Sequence, residues 1–165
     1  MATQYSGIAT VFRGKTSKSP VTEMEGNLKM ISETFSVAAA DNDGEVYMVA
    51  PVRSNWSIKH IWVYNDVITN GTDYDIGLYT TASTPVAYDV DCYADGISMA
   101  SARTSSPIDA AASTKNITGI NNMVYQDAAS PASTDPSTWY WLGVTANTVG
   151  TAQGDITIVI EYVGD

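Results

Sequence analysis

Asp73 and Asp75 stand two positions apart, and Asp89, Asp91 and Asp95 form a second carboxylate group further on. Carboxylates at such spacings can ligate calcium or divide the acid and base roles of a hydrolase. Asp41-Asn42-Asp43-Gly44 has the opening of a calcium loop but neither the later ligands nor the closing Glu. Turns are rich in Asp and helix starts favour it, and these commoner roles account for each group. His60 is the sole histidine, so a His-rich metal site cannot form within one chain and a Ser-His-Asp triad would have to use it. It lies in Ile58-Lys59-His60-Ile61-Trp62-Val63-Tyr64, which alternates like a strand interior, and it is read as structural. Cys92 is the sole cysteine, which excludes an intrachain disulfide and a Cys-based zinc site. No basic residue adjoins it to activate the thiol, so it reads as a small buried apolar side chain. Neither Gly-rich phosphate-binding pattern is present. The expectation is a non-enzymatic protein with no metal and no cofactor.

Trp139-Tyr140-Trp141 is an aromatic triplet whose two Trp share one face of a strand. It could stack on a sugar, but a sandwich core takes large aromatics on its inner face, so the pair is assigned to the core. Trp56 and Trp62, an even number of positions apart, are read the same way.

The elements that must position these residues are strands. Residues 31–39, Glu45 to Val52, Trp56 to Val63 and Tyr74 to Thr80 form a first set, with turns at Asp41–Gly44 and Asn70-Gly71. In the third of these, Ile58, His60, Trp62 and Tyr64 are placed on one face and Ile61 and Val63 on the other. Residues 88–102 are expected to hold a short helical turn capped by Asp89 or Asp91, and Gly119 to Tyr125 one strand. Ser137 to Asn147 and Asp155 to Val163 close the chain, the last expected to be central or covered on both faces. Seven or eight strands without long helical periodicity imply an all-β fold, an antiparallel β-sandwich of jelly-roll type.

The chain divides into an N-terminal arm, residues 1–30, and a sandwich domain, residues 31–165. Residues 1–18 carry Arg13, Lys15 and Lys18 and no acid, while residues 31–165 hold four bases against 16 acids. Tyr5, Ile8, Val11 and Phe12 are apolar anchors with nothing local to pack on. With Arg13, Lys15 and Lys18 they suit an acidic, grooved partner such as a neighbouring subunit. The net charge of -10 argues against non-specific nucleic-acid binding and against docking on anionic lipid. No apolar run is long enough to span a membrane, and the first residues lack a signal-peptide layout.

Two stretches carry a resemblance: Tyr74-Asp75-Ile76-Gly77-Leu78-Tyr79 and Val90-Asp91-Cys92-Tyr93-Ala94-Asp95-Gly96-Ile97-Ser98-Met99. They are similar to a pattern in small β-sandwich structural proteins of tailed-bacteriophage virions, among them the head decoration, or cement, proteins. Cys92 and Tyr93 depart from that pattern. The resemblance implies a non-enzymatic protein made in host cytoplasm that binds the outer surface of an assembled capsid. It implies the major capsid protein as partner, a homotrimer as the oligomer, and stabilisation by clamping neighbouring subunits. The alternative is a receptor- or carbohydrate-binding module of a fibre or tail. A carboxylate-based hydrolase ranks last.

Overall fold

In the computed structural model, residues 27–128 and 130–164 are described. Among the described residues, eight strands form two four-stranded antiparallel sheets. They are β1 (Leu28–Val37), β2 (Glu45–Arg53), β3 (Ser57–Asn65), β4 (Asp73–Thr80), β5 (Ala87–Ile97), β6 (Ile108–Asp109), β7 (Trp139–Thr148) and β8 (Gly154–Val163). One sheet has the order β1-β8-β3-β6 and the other β2-β7-β4-β5. Strand β1 pairs with β8, β2 with β7, β3 with β6 and β4 with β5. The chain is therefore one long hairpin rolled up on itself, and β3–β8 and β4–β7 pairing closes the roll. That wrapping is the jelly roll expected from the strand count. Strand β8 is central in its sheet, as its apolar pattern implied.

The core is built from single strand faces. Ile156, Ile158 and Ile160 of β8 and Leu142, Val144 and Ala146 of β7 are all fully buried. Phe35 of β1 stacks on Tyr47 of β2, ring centroids 4.8 Å apart, and closes the side where both sheets have an edge. On the opposite side the long β6–β7 connection packs in. It contains a one-turn helix, α1 (Val124–Asp127). Val124 N–H donates to Trp56 O and Tyr125 N–H to Ser54 O, while Thr114 Oγ1 donates to Cys92 O.

Several expectations need correction. Residues 88–102 hold no helical turn, because Ala87–Ile97 is strand β5. The small residues there do not mark a helix start. The strand instead carries a bulge: Ile76 is level with Ala94 and Leu78 with Asp89, so Val90, Asp91, Cys92 and Tyr93 stand opposite Gly77 alone. Gly119 to Tyr125 is not a strand but turns leading into α1, tied by Ile120 N–H to Asn116 O and Gln126 N–H to Met123 O. Strand β6 was not foreseen, being only two residues long. In β3 a register shift between Ile58 and His60 breaks the alternation. Ile58 thus joins Ile61 and Val63 in the core, while His60, Trp62 and Tyr64 are only partly buried. Residues 28–30, placed with the arm by sequence, lie within β1.

Candidate functional site

The seven arm residues Tyr5, Ile8, Val11, Phe12, Arg13, Lys15 and Lys18 lie outside the described residues. The remaining candidates fall on three surfaces of the sandwich.

The first is the β4–β5 end. Sequence separated Asp73 and Asp75 from Asp89, Asp91 and Asp95; the fold regroups them. Asp73, Asp75 and Asp95 each bring a carboxylate oxygen within 4.8 Å of the others. Asp89 and Asp91 remain together at the bulge, where a hydrogen bond from the protonated Asp91 carboxyl to Asp89 is the main cause raising the Asp91 pKa above its ordinary value. Three carboxylates are the donor set of a hard cation such as calcium. Both oxygens of the buried Asp75 already accept hydrogen bonds, however. Gly96 N–H donates to Oδ1 at 2.9 Å and Asn147 Nδ2 to Oδ2 at 2.6 Å. Gly96 sits at φ +72°, a conformation L side chains rarely adopt. The cluster thus locks the end of β5 onto β4 and β7; its carboxylates sit in strands, not in the turns or helix starts to which the sequence assigned them.

The second surface is aromatic and corrects the core assignment of the Trp pair. Trp139 is 42% exposed and Trp141 is half-buried, while Tyr140, Leu142, Val144 and Ala146 fill the core. The deciding signal was in the sequence: the face of Trp139 and Trp141 continues into Thr145 and Asn147, the other into Ala146. The Arg53 guanidinium lies over the Trp139 ring, 5.2 Å from its centroid. Trp56 is buried, stacked on Tyr162 at 4.1 Å, and meets Trp139 edge-on. Trp62 is partly buried and stacks on His60 instead.

The third surface was not foreseen. A cleft of about 420 Å³ opens beside β8, lined by Thr34, Tyr64, Asp66, Thr104, Asp155 and Thr157. A second hollow of about 250 Å³ shares Asp66 and Asp155. Asp155 Oδ1 accepts from Ser36 Oγ at 2.5 Å, and the Thr34 and Thr157 hydroxyls are 2.7 Å apart. Two carboxylates and several hydroxyls suit a basic side chain. Asp66 lies in the β3–β4 connection and Asp155 at the start of β8, so their sequence distance hid the site.

His60 is structural, as read, but not in the core. It is half-exposed, and its Nδ1 lies 2.7 Å from Asp109 Oδ2. Asp109 Oδ1 also accepts the Ile61 and Ala111 N–H groups, both at 3.1 Å. Cys92 is partly buried against the core, and burial chiefly pushes its thiol well above the ordinary range, consistent with an unactivated cysteine. Among the described residues, no helix is long and apolar enough to cross a membrane.

Comparison with known proteins gives the fold a context. No family model matches the sequence, and no curated protein does. Two solved structures are similar in fold. A chain in the capsid of Ralstonia phage GP4 aligns with a TM-score of 0.56 at 13% identity, covering 90% of this chain and 92% of that one. A chain in the capsid asymmetric unit of cyanophage Pam1 aligns with a TM-score of 0.53 at 16% identity, covering 100% of both. At these identities the likeness concerns the fold alone.

Proposed function

We propose that this chain is a non-enzymatic structural protein of a tailed-bacteriophage virion, which binds the outer surface of an assembled capsid and clamps neighbouring capsid subunits. The observation that carries this reading is end-to-end likeness to two chains of phage capsids, in a jelly roll of the same extent. The partner is the major capsid protein, and the working oligomer a trimer. Binding that occurs only on the assembled shell stabilises the shell by mass action, and many copies multiply a modest individual contribution.

The arm supplies the clamp. Arg13, Lys15 and Lys18 are basic, and the cleft beside β8 presents Asp66 and Asp155. A neighbouring copy or the shell then receives Tyr5, Ile8, Val11 and Phe12 as apolar anchors. Quantitative mass spectrometry of purified particles tests the reading. A fixed stoichiometric ratio to the shell protein is expected; a few copies per particle would move the chain to the tail or a fibre. Deleting residues 1–18 is expected to leave the sandwich folded and to weaken sedimentation with capsids. Undiminished co-sedimentation would refute the role of the arm.

A second reading, a carbohydrate-binding module of a fibre, is favoured by one feature: the outward Trp139 with Arg53 over its ring. Glycan-array binding that disappears in Trp139→Ala would support it.

A further inference from the structure

Lys115 and Asp127 form a buried pair beneath strand β5. Nζ and Oδ1 are 2.6 Å apart, and the side chains are 1% and 0% exposed. Lys115 Nζ also donates to Asn122 O at 3.0 Å, and the buried Tyr93 hydroxyl donates to Asp127 Oδ2 at 2.8 Å. The pair sits between the turns after β6 and α1, in the connection that closes one side of the sandwich. Two ions in such a place pay heavily in lost hydration. Burial lowers the affinity of the Lys115 amine for its proton and raises that of the Asp127 carboxyl. Both shifts favour a neutral amine facing a neutral carboxylic acid, produced by moving one proton along the 2.6 Å contact.

We propose that Lys115 and Asp127 condense into an intramolecular isopeptide bond between Lys115 Nζ and Asp127 Cγ. The neutral amine attacks Cγ, and the Nζ–Cγ bond forms. The Cγ–Oδ1 bond breaks, and Oδ1 leaves as water with the proton of the acid and one proton of the amine. The balance is one amine and one acid giving one amide and one water, with no oxidant or other reagent. Tyr93 is the catalytic residue: its hydroxyl already points at Oδ2, where negative charge develops in the tetrahedral intermediate. Asn122 O holds the amine by one N–H. Fixed contact in a water-excluded site supplies the effective concentration that condensation needs and hinders hydrolysis. The product satisfies its own polar atoms. The amide N–H keeps Asn122 O as acceptor, and the remaining oxygen keeps the Tyr93 hydroxyl. The bond would tie the turns after β6 to α1 covalently, in a chain that has no disulfide to do so.

The test is the intact mass of the denatured wild-type protein beside that of Lys115→Arg. The wild type is expected to be lighter than its sequence by one water, and Lys115→Arg to show no loss. Asp127→Asn is expected to lose ammonia in place of water, and Tyr93→Phe to form the bond more slowly. Trypsin reads the bond independently. Arg103 and Lys115 are the last cleavage sites in the sequence, so the bonded protein keeps residues 104–165 as one fragment. A wild-type mass equal to the sequence, with cleavage after Lys115, would overturn the proposal. So would a water loss that persists in Lys115→Arg.

Discussion

The carbonyl oxygen of Asp89 occupies the space that a Cβ on Gly77 would need, 2.1 Å from where that atom would stand. Val90 crowds the same position, with its carbonyl carbon at 2.3 Å. The β5 bulge therefore lies directly on β4, and only glycine admits it. Gly77 and Val90 belong to the two stretches singled out in the sequence.

Gly77→Ala is expected to destabilise the fold at or beyond the upper end of the roughly 1–3 kcal/mol seen for overpacking. The clash is with backbone, which cannot rotate away. Urea denaturation checks it, and a midpoint unchanged from wild type would show that the bulge can shift at no cost.

The two faces of β7 are expected to respond unequally. Leu142 is fully buried, and Leu142→Ala should cost about 2–5 kcal/mol. Trp139→Ala removes an exposed ring and its contact with Arg53, and should cost only about 1 kcal/mol. Chemical denaturation of both variants gives the comparison; equal losses would contradict the outward placement of Trp139.

Asp75 and Asn147 should be energetically coupled. They meet at 2.6 Å, and Asp75 also holds the Gly96 N–H. A double-mutant cycle of Asp75→Ala and Asn147→Ala is expected to give a coupling of about 0.5–3 kcal/mol. Strict additivity would remove the Asp75 lock from the account of the β4–β5 end.

Acid should weaken the fold in a way that two carboxylates explain. The Tyr47 hydroxyl first, and the Ala38 N–H second, hold the Asp41 carboxyl below its ordinary value of 3.8. The Ser54 hydroxyl and the Ser137 N–H do the same for Asp135. A depressed folded-state pKa means that the unfolded chain takes up the proton first as pH falls. The contribution is thus whole above the ordinary carboxylate range and is lost on acidification through the depressed value. Asp41→Asn and Asp135→Asn are expected to lower the melting temperature at neutral pH and to flatten its fall between about pH 5 and about pH 2. A fall as steep as that of the wild type would assign the acid sensitivity to other groups.

Strand existence was legible because period-2 patterning is local. Glu45 to Val52 and Asp155 to Val163 each announce a strand without reference to the rest of the chain. Strand β5 was not legible, because Gly96 and the small residues before it read equally well as a capped turn. Only pairing with β4 makes Val90–Tyr93 a bulge.

By itself, then, the sequence determined the all-β class, the jelly-roll strand count, the acidic body, and that one chain alone can form neither a disulfide nor a multi-histidine site. These follow from composition and from alternation between neighbouring residues, which act over a few positions. Tertiary structure decided which parity of β7 faces inward and where the β3 alternation breaks. It also decided which distant groups meet: Asp66 with Asp155, His60 with Asp109, and Lys115 with Asp127 and Tyr93. The physical reason is that such contacts depend on the register between strands far apart in the chain. Register is set by the whole packed core, and one bulge is enough to turn a side chain from one face to the other.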